Sequence, residues 1–257
     1  MIIDAHCHIL PSPGGIDIAL RYMREARVDH TILVPGGMIP PLGLADFLRG
    51  RQALATSAPD NDFVRSVFGR YPREFSGFFQ VDPVYHMADD WDAAVEQGFA
   101  GFKLNPLVNH VSFLSPEIKE LCEYLVARDL PLYTHIVLKG DASLDALELL
   151  LRDFRRLNLI LGHMGFASTD HSAIQLAKRH ETLYLETSVG SFMAIQEAVR
   201  RLGAGRIIFG SEGPVHHVGA ELRKIELLKV SAEDQDRICA RNICALAHLG
   251  EKLKVLA

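Results

Sequence analysis

The chain has 257 residues, a length that suits a single α/β barrel, and its formal charge is −5, with 27 Lys and Arg against 32 Asp and Glu. A balance of that sign supplies no basic field for a phosphate backbone, so no nucleic-acid partner is expected. No run approaches the ~20 apolar residues that span a bilayer, so no membrane partner is expected either. The first residues lack the basic region, apolar region and cleavage site of a secretory signal. The four cysteines (Cys7, Cys122, Cys239 and Cys244) show no C-x-x-C spacing. Together these features read as a cytoplasmic protein with free thiols.

The first predicted strand, 2–8, ends in Asp4-Ala5-His6-Cys7-His8. Strict alternation puts Asp4, His6 and His8 on one face and Ala5 and Cys7 on the other. Two imidazoles at that spacing suit a divalent metal, with the carboxylate one step deeper as a brace. A helix near 16–27 and a strand at 31–35 follow. The connection 36–60 is rich in Gly and Pro, and its Met38, Ile39, Leu42 and Leu44 could cover a barrel mouth or a second subunit, which leaves a homodimer open. Helices are then predicted near 61–71, 87–97, 116–128, 143–156, 171–180 and 191–202. They alternate with strands at 77–82, 100–105, 131–136, 158–163, 183–187 and 206–211. Most of these strands are continuously apolar, as strands covered on both faces are.

Ser115 before Pro116, and Ser143, read as N-caps. The tail, about 219–249, reads as two helices, with Ser231 and Asp234 as a capping pair and Cys239, Ile243, Leu246 and Leu249 as the buried stripe. Eight strands with intervening helices and right-handed crossovers specify a (β/α)8 TIM barrel, one domain over 1–257 with C-terminal helices. No GxGxxG follows the first strand, which removes the main support for a dinucleotide-binding sheet.

Polar residues collect at the strand ends. His6 and His8 end the first strand, Lys103 and Asn105 the fourth, His135 the fifth, and His163 the sixth; Glu186 and Ser188 end the seventh, and Glu212 follows the eighth. A barrel gathers these ends on one rim. Four imidazoles, a carboxylate and a lysine there match a catalytic divalent-metal site with an open position, zinc being the default for nitrogen-rich donors. Asn105, Glu186, His216 and His217 are candidates for contact with a small-molecule substrate. His30, His86, His110, His171, His180 and His248 are assigned to loops or helices in ordinary surface or capping roles.

Asp4-Ala5-His6-Cys7-His8, Tyr71-Pro72 with Gly77-Phe78-Phe79 and Asp82-Pro83, Gly101-Phe102-Lys103-Leu104, Thr134-His135, Gly162-His163-Met164-Gly165 and Phe209-Gly210-Ser211 occur in that order. With this set the chain resembles the amidohydrolase superfamily, in the amidohydrolase-related branch that includes aminocarboxymuconate-semialdehyde decarboxylase. The resemblance implies that His6, His8 and His135 hold a single metal and that His163 contacts the activated water or the substrate. Glu212 stands where that branch normally has aspartate, as a metal ligand or proton acceptor. Lys103 would be an unmodified cation facing an acidic substrate. In two-metal members it would instead be carbamylated, with His135 and His163 on the second ion.

The implied reaction is metal-dependent hydrolysis of an amide, lactone or similar carbonyl bond in a small acidic molecule. Glu212 would move the proton, and His163 and Lys103 would stabilise the developing charge. A non-hydrolytic lyase, decarboxylase or hydratase, is the alternative. A catalytically silent metal- or metabolite-binding barrel is the third reading, because the expected aspartate is Glu212.

Overall fold

Continuously apolar runs become the staves of a barrel here, because a parallel strand flanked by helices meets side chains on both faces. The structure is a computed structural model that describes residues 1–12, 14–36, 51, 58–83, 85–109, 111–165, 171–250 and 253. Its strands are β1 (Ile3–Ile9), β2 (His30–Pro35), β3 (Phe75–Gly77), β4 (Phe79–Val81), β5 (Phe102–Leu104), β6 (Leu132–Thr134), β7 (Leu159–Leu161), β8 (Leu183–Glu186) and β9 (Ile207–Ile208). They pair in parallel, β1 to β3 in one run and β4 to β9 in another.

β3 and β4 are one stave interrupted at Phe78, whose N–H still donates to Leu33 O at 2.9 Å, so the predicted eight stave positions stand. The last stave meets the first through Ala5 N to Phe209 O at 3.1 Å, Glu212 N to His6 O at 2.8 Å and His8 N to Gly213 O at 2.6 Å. The fold is the α/β barrel expected.

The predicted strands 131–136, 158–163 and 206–211 stop early, at Thr134, Leu161 and Ile208. Beyond these points come His135, His163 and the Gly210-Ser211 turn that leads to Glu212. After β7 the chain tightens into a 3-10 turn, Gly162–Gly165, with His163 at φ 60° and Met164 at φ 53°. The predicted caps form: Ser115 accepts from Ile118 N at 3.4 Å, Ser143 from Ala146 N at 3.4 Å and Ser231 from Asp234 N at 3.1 Å.

The tail is more broken than two helices. It runs as Val218–Glu226, Ala232–Asp236, a π turn at Arg237–Arg241, and Asn242–Leu246. Ala240, Ile243 and Leu246 pack on Ile3, Ala5, Ile32, Phe78, Tyr133 and Ile208 inside the barrel, closing it on the side where the strands begin. Most of the 36–60 connection, with its apolar cover, lies outside the described residues, as does His110. Among the described residues no helix is long and apolar enough to cross a membrane.

β1 departs from the alternation assumed for it. Asp4 pairs with Thr31 and Cys7 with Leu33, so three steps on β1 match two on β2, which is a β-bulge. Ile3 and Ala5 pack in the inner cluster, whereas Asp4 and Cys7 both line the cavity against the helix Gly15–Ala26. Asp4 therefore does not share a face with His6 as expected, although His8 also reaches this cavity. Its carboxyl accepts from Ser211 N at 2.8 Å, Ser211 Oγ at 2.6 Å and His6 N at 3.2 Å, and Ser211 Oγ accepts from Gly213 N at 2.9 Å. The brace thus acts on the turn that carries Glu212. Burial pushes the Asp4 carboxyl up to about 7 against the pull of these hydrogen bonds. Asp4→Ala strands two donors of Ser211 in the interior and is expected to cost about 2–4 kcal/mol in urea unfolding. An unchanged midpoint would show that the clamp carries no stability.

Candidate metal centre

Three segments converge at the mouth: β1, the turn after β7 and the turn after β9. His6 Nδ1 lies 2.8 Å from Glu212 Oε2, His8 Nε2 lies 3.4 Å from Oε1, and His163 Nε2 lies 3.7 Å from Oε2. His6, His8 and Glu212 each offer a ligand atom, all within 4.8 Å of one another.

Their partners fix the tautomers. His8 Nδ1 sits 2.9 Å from Pro35 O, and a carbonyl only accepts, so Nδ1 carries a proton and Nε2 is the nitrogen turned to Glu212. His163 Nδ1 lies 2.9 Å from Ser188 Oγ, whose hydroxyl donates to Glu186 Oε2 at 2.8 Å. The serine oxygen therefore accepts from His163 Nδ1. Tyr133 donates to Glu186 Oε2 at 2.7 Å, and its oxygen lies 2.7 Å from His6 Nδ1. The same His6 Nδ1 faces both the Tyr133 oxygen and Glu212 Oε2, while its Nε2 lies 3.2 Å from Lys103 Nζ, so every edge of the ring is engaged by this network.

Burial dominates the charge states. It drives His6 and His135 well below the ordinary imidazole value and His163 down to about 4, so these rings are neutral at pH 7 with lone pairs available. Burial also works against the Glu212 anion, but His6, His8 and His163 around it reverse the effect and hold the carboxyl well below the usual range. Neutral imidazoles around one carboxylate are what a divalent cation selects. Burial lowers Lys103 to about 8, against the opposing pull of Glu212 and Glu186, so it remains a cation at neutral pH. Its Nζ lies 3.9 Å from the centre of the Tyr133 ring.

Two glycines explain why the flanking sequences read as they do. A Cβ at Gly162 would collide with Tyr133 Oη, and one at Gly210 with Glu186 Oε1. Gly-His-Met-Gly and Phe-Gly-Ser thus make room for a buried Tyr133–Glu186 pair. Glu212 takes a left-handed backbone, φ 60°, held by its own N–H on His6 O at 2.8 Å.

The other candidates fall in different places. His135 follows β6, with its ring centre 5.8 Å from that of His163 and outside the His6–His8–Glu212 group. Glu186 is fully buried, and its oxygens accept from Tyr133, from Ser188 N at 2.5 Å, from Ser188 Oγ and from His163 N at 3.2 Å. It orients the histidines from behind, which differs from the expected substrate contact. Asn105 Oδ1 accepts from Val108 N at 3.3 Å, capping the short helix Pro106–Asn109. His216 is on the rim, 3.9 Å from Glu221. His217 caps Val218–Glu226 by accepting from Gly219 N at 3.1 Å and stacks on Tyr22, so it is a local cap and stacking residue. His30 is not in a loop or helix: it starts β2, buried, with Nδ1 2.7 Å from Arg73 O and Nε2 2.9 Å from Ser76 Oγ. Sequence reasoning missed Tyr133, although its position two residues before His135 on an alternating strand gave the signal.

The family profile of amidohydrolases matches residues 3–246, and the chain belongs to that family. Among solved structures it is similar to 2,6-dihydroxybenzoate decarboxylase from Rhizobium, with a TM-score of 0.72 and 18% identity over 96% of this chain and 98% of that one. It is also similar to a dihydroxybenzoic acid decarboxylase from a Polaromonas species, solved with manganese and the inhibitor 2-nitroresorcinol, with a TM-score of 0.70 and 19% identity over 98% of each chain. A third is 5-carboxyvanillate decarboxylase from Sphingomonas paucimobilis, with a TM-score of 0.70 and 16% identity over 96% of this chain and 98% of that one. No curated protein matches the chain.

Proposed function

We propose that the chain is a metal-dependent lyase that removes a carboxylate from a small hydroxylated aromatic acid. The observation that carries the reading is the His6–His8–Glu212 group: one ligand atom from each lies within 4.8 Å of the others, around a carboxyl held well below the usual range. His6, His8 and Glu212 hold one divalent ion, with His135 and His163 beside it. A second ion on His6, His163 and Glu186 is disfavoured, because Glu186 already accepts four hydrogen bonds. A divalent ion there supplies positive charge that draws an anionic oxygen and acidifies a proton-bearing group beside it. Manganese in the Polaromonas relative and the mixed nitrogen and oxygen donors here favour manganese as much as zinc.

Lys103 is the cation that faces the substrate carboxylate. Glu212, whose side chain is 18% exposed, takes a proton at the mouth and returns it to the carbon that loses carbon dioxide. His163, held by Ser188, steadies the negative charge that develops on the ring as neutral carbon dioxide leaves. Decarboxylation is preferred over hydrolysis because the three similar structures described above bear decarboxylase names. Hydrolysis uses the same proton path with a carbonyl carbon as the target and remains the second reading.

The test is metal-stripped protein reloaded with manganese or zinc and given carboxyl-labelled hydroxybenzoates and a panel of lactones and amides. Labelled carbon dioxide from the acids supports the proposal. Products of water addition to the esters or amides, with no carbon dioxide, transfer the chain to the hydrolases. Equal turnover without metal would sink both readings.

A further inference from the structure

Gln80 on β4 pairs with Lys103 on β5, which pairs with Tyr133 on β6. Phe79 and Val81 on either side of it join the outer core, while Phe78 packs in the inner cluster, so alternation sends the Gln80 side chain into the barrel beside Lys103. Its backbone is pinned from outside the sheet. Gln80 N donates to Asn61 Oδ1 at 2.8 Å, and Asn61 Nδ2 donates to Gln80 O at 3.0 Å. The Asn61 carboxamide occupies the place of a missing ladder strand and fixes where Gln80 points.

Gln80 is 0% exposed, and neither its Oε1 nor its Nε2 has a hydrogen-bond partner among the described residues. A buried carboxamide with both ends unmatched works against folding, and native proteins keep such groups where something else completes them. The neighbouring inward polar groups are already committed. Lys103 lies on His6 and Tyr133, and Tyr133 and Glu186 bond to each other. Gln80 stands apart as a donor and an acceptor in one group, next to the cation assigned to the substrate carboxylate.

We infer that Gln80 is a specificity-determining residue whose carboxamide reads a hydroxyl on the ring carbon next to the one that bears the substrate carboxylate. An amide both donates and accepts, which matches a hydroxyl and mismatches bare aromatic C–H. A site built to hydrogen-bond a hydroxyl discriminates strongly against the analogue without it. The inference rests on the reading of the mouth as a site for small acids.

The test compares 2-hydroxybenzoate with benzoate by titration calorimetry on the manganese-loaded protein, in the parent and in Gln80→Leu. The parent is expected to prefer 2-hydroxybenzoate by tenfold or more, and Gln80→Leu is expected to bring the two within threefold with benzoate affinity unchanged. Without ligand, Gln80→Leu is expected to hold or raise Tm, because an unmatched buried amide is removed. A selectivity that survives the substitution, or a lowered Tm with selectivity intact, overturns the inference and leaves Gln80 with a structural water only. If the parent binds neither acid, the reading of the site as one for small acids fails and this inference goes with it. If both acids bind and only the selectivity result is negative, that reading stands.

Discussion

Glu212→Ala is expected to reduce kcat/KM by a factor on the order of 10³ or more and to lower metal content after purification. The substitution removes the carboxylate of the His6–His8–Glu212 group and leaves only its imidazoles to hold the proposed cation. It also removes the proposed proton carrier, a role that alone contributes typically ~10²–10⁴-fold. Elemental analysis beside a steady-state assay separates the two losses. Full metal occupancy with lost turnover isolates the proton path, whereas loss of both places Glu212 among the ligands. Glu212→Asp is the more searching variant. It shortens the reach by one methylene and should keep the metal with a moderate loss of rate. If it creates activity where the parent has none, the barrel is a silent binder, and the aspartate expected from the family resemblance is the missing catalyst.

Gly210→Ala is expected to destabilise the protein by about 3–5 kcal/mol, and Gly162→Ala by a similar amount, from overpacking together with a broken buried hydrogen bond. Each adds a methyl group whose first contact is a buried oxygen, Glu186 Oε1 or Tyr133 Oη. Surface contacts of this kind relax by rotating a flexible side chain, but here neither oxygen has anywhere to go. Glu186 and Tyr133 are fully buried, bond to each other at 2.7 Å, and serve Ser188, His163 and His6 at the same time. Moving either one disturbs the hydrogen bonds that hold His6 and His163 in place. Urea unfolding followed by circular dichroism measures the loss. Midpoints within error of the parent would mean that the interior yields more easily than its hydrogen bonding indicates.

The sequence made the barrel legible because its strands are apolar on both faces and its helices carry readable caps, such as Ser115 and Ser231. His6, His8, His163 and Glu212 were legible as polar residues at strand ends, where only a rim explains them. Asp4 was misplaced because alternation carries no warning of an inserted residue: the bulge shows only once β1 is laid against β2. Glu186 was taken for a substrate contact because its neighbours, Tyr133, Ser188 and the backbone of His163, come from other segments. Gln80 escaped notice for a related reason. An inward glutamine is ordinary until cross-strand register sets it beside Lys103, with no hydrogen-bond partner for its carboxamide among the described residues. The break at Phe78 and the π turn at Arg237–Arg241 have no local signature in composition.

The seam where the first stave joins the last carries a further consequence. His6 and His8 lie on one side of it and Glu212 on the other, and Ser211 is fastened back to Asp4 across the same join. A cation gripped there is a clasp between the opening and closing stretches of the polypeptide, so loading the centre and locking the ring are one event. A chain re-threaded to begin between two other staves would keep that clasp only if both halves of the join still meet.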